Sequence, residues 1–475
     1  MLISPNQKVV VSMLYVTAMF MAAMDATIVN VALVTISKEL RVPPSAMGTV
    51  NIGYLVSLAA FLPVSGWLGD RFGSKRVFLL AFGVFTFASA WCGIADNLTA
   101  LNLFRMLQGA GGGLLTPIGM AILLRTFQPH ERLIISRTLM IPIALAPAMG
   151  PILGGFLVDF VSWRWIFFVN LPVGILCLLF GSVFLKEYKD ESHQRFDLPG
   201  FLLSASGFAM VMYALTQGSA RGWGSPEILG LGLGGTLLLS IFVYMELRVS
   251  QPMLNVRLYS DRLFRTMGLH SLLIAAGLQG MLYVFPLMYQ DAIQASALDA
   301  GLTTFPEALG LMLASQFVPW FYSRLGPKRM MTIALICAIV LYVLLSLVQK
   351  DTSPWLIRVL LFGAGFFLGN AVGVVQASAF NTISPSSMGQ ASTLFHVQNR
   401  LGAALGVALL ASILSGIRTD TATLLAYKTA LLCSTGFLLV ALFFALRIRD
   451  ADAAATMRKP TTLQKSKVPL TESEG

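Results

Sequence analysis

The chain has 475 residues, 56% of them hydrophobic and only 12% charged, where soluble domains carry about 25% charged residues. Its apolar stretches recur along the whole length and run to about 20 residues, enough to cross a bilayer core of about 30 Å. Backbone groups inside lipid must be satisfied within the segment, so such stretches are helices. They are too long, and too apolar all round, for barrel strands of about 10 alternating residues. The formal charge of +11 does not point to nucleic acid, because the basic residues sit in short loops between the apolar runs.

In chain order the sequence predicts spans near 11–36, 46–67, 77–95, 99–124, 137–158, 165–185, 199–217, 227–247, 266–289, 300–322, 329–349, 354–377, 390–416 and 424–446. Fourteen spans put both termini on one side of the membrane. With that side cytoplasmic, and Arg137, Arg329 and Lys428 at the span ends counted with the adjoining loops, 23 Lys and Arg fall inside and 7 outside, the remaining three, Arg105, Arg358 and Arg400, lying within spans, as the positive-inside bias requires. The N-terminal run is too long for a cleaved signal. The tail after about residue 447 is polar and is expected to be disordered. Cys92, Cys177, Cys337 and Cys433 all lie in apolar segments without CxxC spacing, and read as small apolar fillers.

The sequence repeats itself. Arg71-Phe-Gly73-Ser-Lys75-Arg76 follows span two, and Arg324-Leu-Gly326-Pro-Lys328-Arg329 follows span ten, at an offset of 253 residues. Arg105 and Arg358 each stand 32 residues beyond the loop glycine, and glycine clusters follow both. Shifted by 253, Gly150 lands in the small-residue stretch Gly402–Gly406. Two six-helix halves follow, residues 1–190 and 263–446, with two extra helices between them in 191–262. Paired halves around a central site are the plan of secondary transporters. The extra helices bear no in-span charge and are expected to be peripheral to the chemistry.

Gly66-Trp-Leu-Gly-Asp70-Arg71-Phe-Gly73-Ser-Lys75-Arg76 resembles the loop 2–3 signature of the major facilitator superfamily. Leu103-Phe-Arg105 with Gln108-Gly109 resembles its span-four motif, and Gly150-Pro151-Ile-Leu-Gly154-Gly155 its antiporter motif. Met24-Asp25-Ala-Thr27-Ile-Val-Asn30-Val-Ala32-Leu33 and Trp163-Arg164-Trp165-Ile-Phe167-Phe-Val-Asn170-Leu-Pro172 look like signatures of the fourteen-span EmrB/QacA-type drug:proton antiporters. The chain departs from the pattern at Val34, Ala146 and Ser323. The resemblance implies an all-α polytopic membrane protein of major facilitator fold. It implies a proton-coupled exporter of amphipathic, cationic small molecules or drugs. The alternative on the same fold is export of one metabolite, such as a siderophore, lipid or amino-acid derivative. Protons would be the coupling ion, with no cofactor and no metal. The bilayer is the medium, and a two-membrane cell would add a membrane-fusion accessory protein. No nucleotide loop or HExxH argues for an enzyme.

An ionised carboxylate at Asp25, inside span one, costs at least ~2.5 kcal/mol, so it is either a proton carrier or permanently paired with a neighbouring helix. Arg105 keeps its charge and cannot release a proton; the resemblance associates it with proton movement, the plain reading being a structural arginine. Glu307, near mid-span after Pro306, is a second proton site, a substrate contact or a structural ion pair. Asp70, Arg71, Gly73, Lys75 and Arg76 read as a gate between the halves or as a topological anchor. Gly150, Pro151, Gly154 and Gly155 allow close helix approach and a bend. Asn30, Gln108, Asn399 and Arg400 are candidate lining of a substrate cavity. Reporter fusions test the topology: both termini are expected to report from the cytoplasm, and an external signal at the C-terminus refutes it.

Overall fold

A computed structural model describes residues 6–43, 47–128, 131, 145–146, 149–150, 152–188, 197–249, 252–295, 297–417 and 423–448. Among these the secondary structure is helical, with no strand. The helices of the first half are α1 (Gln7–Glu39), α2 (Gly48–Phe61), α3 (Ser65–Phe72), α4 (Ser74–Gly93), α5 (Leu98–Thr126), α6 (152–160), α7 (Trp165–Phe168) and α8 (Asn170–Phe184). Then come α9 (Leu198–Arg221) and α10 (Pro226–Arg248). The second half holds α11 (Arg262–Asp291), α12 (Ala297–Ser346), α13 (Pro354–Ser378), α14 (Met388–Ile417) and α15 (Thr423–Ala445).

Their ends follow from local chemistry. Asn97, Asp197, Ser225 and Asp261 each accept a hydrogen bond from a backbone N–H in the first turn of the helix that follows, satisfying donors the helix leaves orphaned. Pro63 lies in the break between α2 and α3, which bend by 54° and together make one span; a proline removes the hydrogen bond that would keep the helix straight. α12 has 50 residues, about 75 Å of helix and more than twice the bilayer core. Non-helical Gly326 breaks it into two spans. Among the described residues eleven helices are long and apolar enough to cross a membrane, twelve with the α2–α3 pair. The two limbs of α12 make thirteen. The predicted span at 137–158 falls largely outside the described residues, as does the tail from 449.

The outward faces are apolar. α10 exposes Leu229, Leu233, Leu237, Ile241 and Tyr244, and α8 exposes Leu176, Leu179 and Val183, as lipid-facing helices do.

The two halves reproduce one another at their glycines. Gly73 and Gly326, 253 residues apart, both have positive φ, 98° and 74°, a conformation a Cβ would oppose. Where α5 crosses α2, a Cβ at Gly109 or Gly113 would collide with the carbonyls of Tyr54 and Leu58. Where α13 crosses α12, a Cβ at Gly365 or Gly369 would meet the carbonyls of Glu307 and Leu311. Tyr54 therefore corresponds to Glu307 at offset 253, while Gly109 corresponds to Gly365 at offset 256. The second half has three extra residues before α13. This corrects the sequence pairing of Arg105 with Arg358. The counterpart of Arg105 is the buried Leu361, and Arg358 sits one turn into α13 with its guanidinium 5.0 Å from the Trp355 ring.

The inserted helices differ from expectation in packing. α10 packs mainly on α9, but α9 packs on α2 of the first half and on α14 of the second. The Phe61 and Phe201 rings lie 6.0 Å apart, and Trp223 Nε1, just beyond α9, donates to Ser412 Oγ of α14 at 2.6 Å.

A collision with a backbone carbonyl cannot be relieved by a rotamer change, and overpacking costs about 1–3 kcal/mol. Gly113→Ala and Gly365→Ala are expected to lower the thermal midpoint of purified protein by several degrees. Gly155→Ala, where a Cβ meets nothing within 4 Å, should leave it unchanged. Scanning fluorimetry in detergent checks both.

Candidate functional site

The charged centre of the first half is fully buried. Asp25 of α1 and Arg105 of α5 are both 0% exposed. Arg105 Nη1 donates to Asp25 Oδ2 at 2.6 Å and to Gln108 Oε1 at 2.7 Å. Gln108 Nε2 donates to Asp25 Oδ1 at 2.9 Å, and Asn170 Nδ2 of α8 reaches the same oxygen at 3.3 Å. Asn170 also donates to Ser89 Oγ at 3.1 Å, and Ser89 to the Phe167 carbonyl at 2.9 Å. The guanidinium carbon lies 4.3 Å from the Tyr54 ring and 5.9 Å from the Phe167 ring, the arrangement of a cation on aromatic faces. Arg105 Nε and Nη2 have no hydrogen-bond partner among the described residues.

Every partner of the Asp25 carboxylate among the described residues is therefore a donor. A proton arriving there would face donors on all sides and deprive Arg105 of its counter-charge. A cation left buried and unpaired costs several kcal/mol, so the charge on Asp25 and that on Arg105 stabilise one another in this packing. Close packing surrounds the pair. Gly150 lies against Thr27 and Ile28, and Gly154 against Ile28, within one turn of Asp25. Gly155 faces open space, and Pro151 lies outside the described residues.

The signature loop divides into two sets of contacts. Gly73, Lys75 and Arg76 work within the first half. Glu187, beyond α8, accepts from the Lys75 backbone N–H at 2.9 Å, and its other carboxylate oxygen lies 3.7 Å from Arg76 Nε. Lys75 Nζ donates to the Ser182 carbonyl at 2.7 Å, and Ser74 N–H to the Tyr188 carbonyl at 2.8 Å. Gly73 leaves the space for Glu187, whose carboxylate carbon would lie 2.6 Å from a Cβ there. Arg71 is half-buried.

Asp70 works at the junction of the halves. Arg125 Nη2 of α5 donates to Asp70 Oδ1 at 2.8 Å, Arg125 Nη1 to Ser74 Oγ at 3.1 Å, and Arg125 Nε to the Pro385 carbonyl at 3.3 Å. Asp70 Oδ1 would be 2.7 Å from a Cβ at Gly389, in the first turn of α14, where a helix carries partial positive charge. Around it, Ser65 and Thr393 hydroxyls are 2.9 Å apart and Ser392 donates to the Pro117 carbonyl at 2.8 Å. A Cβ at Gly66 would lie 2.9 Å from the Gly389 carbonyl. At this end of the membrane the halves are in contact.

The remaining candidates are spread out. Glu307 is 1% exposed and its Oε1 has no hydrogen-bond partner among the described residues; its polar neighbour is the buried hydroxyl of Tyr342. Gln108 is 0% exposed and bound into the Asp25 network. Asn30 is exposed and accepts from Asn51 Nδ2 at 2.5 Å. Asn399 donates to Ser271 Oγ at 3.1 Å. Arg400 is exposed. Beyond the first apolar span, Glu39 accepts from Trp163 Nε1 at 2.6 Å and pairs with Arg164, and the Arg164 hydrogen bond holds its carboxyl below the usual carboxylate range. The cysteines are free, and Cys92 lies 3.8 Å from Gln108 Oε1. No group of three or more potential metal ligands occurs among the described residues.

The sequence profile of the Major Facilitator Superfamily matches residues 15–407 and, again, 267–468. The chain is 30% identical over 405 residues to the multidrug resistance protein B homolog of Mycobacterium tuberculosis, covering 84% of this chain and 75% of that one. It is 33% identical over 404 residues to a Pectobacterium carotovorum protein with the provisional name multidrug resistance protein MdtD, covering 84% and 85%. Its fold matches the crystal structure of the human organic anion transporter MFSD10 (TETRAN) with a TM-score of 0.64 at 17% identity, over 93% of this chain and 99% of that one.

Arg105→Gln leaves Asp25 buried without its counter-charge and is expected to destabilise the protein by about 3–5 kcal/mol. Adding Asp25→Asn should recover most of that loss. Denaturation of the two single variants and the double variant in detergent gives the coupling; losses that simply add would mean that the pair does not interact.

Proposed function

We infer that this chain, which belongs to the Major Facilitator Superfamily, is a multi-pass membrane transporter that exports amphipathic small molecules in exchange for protons. The observation that carries the reading is the Asp25 carboxylate, buried within a span and held, among the described residues, by the donors of Arg105, Gln108 and Asn170. The superfamily and the multidrug resistance relatives support drug efflux as the transported traffic. Proton coupling, antiport and membership of the fourteen-span EmrB/QacA type are the finer part of the proposal.

The proposed cycle uses residues on two levels. At mid-membrane, Asp25 takes up a proton, loses its bonds to Arg105 and lets α5 move; losing the proton restores the pair. One charge crossing 100 mV provides about 2.3 kcal/mol before any pH gradient. At the loop 2–3 end, Asp70 and Arg125 hold α3 and α5 against the start of α14, and these contacts must break when the halves rock apart. Glu307 is a second proton site, in the crossing of α12 and α13 that corresponds to Tyr54 in the first half. The excess of Lys and Arg in alternate loops supports a cytoplasmic position for the closed end and for both termini. In a two-membrane cell the inner membrane and an accessory protein complete the path.

Asp25→Asn tests the coupling. Asparagine is nearly isosteric but carries no proton, so the variant is expected to express, bind substrate and exchange it down a gradient, yet to lose at least about tenfold of its pH-driven uptake into proteoliposomes. Wild-type accumulation against a gradient would make Asp25 structural.

A further inference from the structure

The transporter reading leaves one charge without work. Arg400 lies twelve residues into α14, about 18 Å along its axis and close to the middle of a ~30 Å hydrocarbon core. It is exposed, and no carboxylate or hydrogen-bond acceptor partners it among the described residues. Charged side chains at this depth are costly, and where they persist they pair, bond backbone carbonyls or face a path for polar cargo. Arg105 is paired with Asp25. Arg400 is not.

Its surroundings are those of a crevice. Arg400 lines a shallow, open crevice with Ala59 and Leu62 of the first half, Phe208 and Met212 of α9, and its own neighbours Val397 and Leu401. The Tyr15 and Tyr54 side chains of the facing half lie within electrostatic range of it. One permanent cation thus stands at the edge of a wall that is otherwise apolar and is built from both halves and the inserted helix. No carboxylate lines that wall. The two in-span acids of the halves are out of reach of a ligand's cationic group: Asp25 is occupied by three donors, and Glu307 is 1% exposed in the α12–α13 crossing.

We propose that this crevice binds the substrate as an amphipathic organic anion. A carboxylate or sulfonate would sit on the Arg400 guanidinium, and the apolar body would lie against Phe208, Met212, Leu62 and Leu401. The planar guanidinium suits a two-oxygen anion better than a point ammonium would. The proposal rests on the transporter reading and replaces the cationic substrate expected from the sequence with an anionic one. It also gives α9 a share in binding.

The experiment compares two matched probes, 4-octylbenzoate and 4-octyl-N,N,N-trimethylanilinium, by calorimetric titration of full-length protein in nanodiscs of uncharged lipid. Empty nanodiscs provide the partitioning baseline. The benzoate is expected to bind at least about tenfold more tightly than the anilinium. Arg400→Gln should weaken the benzoate by about ten- to a hundredfold, the range for losing a charged hydrogen bond, and leave the anilinium unchanged. Arg400→Lys should recover part of the loss, which shows that a charge and not the fold was removed. Phe208→Ala should weaken both probes by a similar factor. The proposal is overturned if the anilinium binds more tightly, if Arg400→Gln shifts both probes alike, or if it shifts neither. A thermal midpoint is measured for each variant, and if Arg400→Gln unfolds, Arg400→Lys decides: a benzoate-to-anilinium preference that is reduced but kept supports a charge-based site, and a lost one overturns it. Uptake of the benzoate into proteoliposomes under an imposed pH gradient separates the two readings. Arg400-dependent binding without pH-driven uptake leaves the anion site standing and refutes proton-driven export. Uptake of the anilinium that ignores Arg400 does the reverse.

Discussion

The buried pair of Asp25 and Arg105 constrains most of the first half. Two charges withdrawn from water are tolerated only when geometry and extra hydrogen bonds are good, and the fold supplies both. Gly109 and Gly113 let α5 settle onto the backbone of α2, which sets the Tyr54 ring 4.3 Å from the guanidinium. Gly150 and Gly154 do the same against α1, beside Asp25. Asn170, carried on α8, reaches the carboxylate from a third side. The glycine seams and the ion pair are thus one construction, because a Cβ at the seams would move the helices that hold the charges. Two guanidinium nitrogens without partners among the described residues leave the pair less than fully satisfied.

The second half keeps the seams and drops the pair. Leu361 stands where Arg105 would be, and Glu307 where Tyr54 would be. Duplicated backbone packing with unlike side chains is what a two-half transporter needs if one half handles the coupling charge while the other closes against it. The contact surface at the loop 2–3 end follows the same division. Asp70 and Arg125 come from the first half, whereas the second half offers the first turn of α14 and the Pro385 carbonyl.

Much of this was legible in the sequence, for a physical reason. Charges are so costly in lipid that Asp25, Arg105 and Glu307 stand out against an apolar background, and Gly73 and Gly326 mark turns that other residues resist. What was not legible were the partners. Glu187 and Arg125 lie in basic, loop-proximal stretches that read as topology signals, and Asn170 and Tyr54 are ordinary residues until the helices cross. Gln108 is polar and in-span, which the sequence reads as cavity lining; its bonds to Asp25 and Arg105 are visible only once the helices cross. The pairing of Arg105 with Arg358 followed the loop spacing and missed three added residues. The four-residue glycine spacing, 109 and 113 against 365 and 369, was the better ruler, since it is set by backbone contact. The predicted span at 137–158 remains a sequence expectation, because most of it lies outside the described residues.

The inserted helices show how far composition alone can mislead about position. Neither α9 nor α10 carries a charge in the middle of its span, and from that both read as peripheral. α10 is peripheral. α9 is held at its two ends by different halves: Phe201, in its first turn, meets Phe61 of the first half, and Trp223, just past its last, bonds to Ser412 of the second. If the halves rock about an axis near mid-membrane, one end of α9 travels with each, so the helix must tilt. Its middle, Phe208 and Met212, faces the crevice beside Arg400. Those side chains are apolar, and apolar contacts tolerate sliding far better than directional hydrogen bonds do. A wall of this kind can keep the gap between α2 and α14 covered while the halves exchange positions, and can present the same oily surface to the bound molecule throughout.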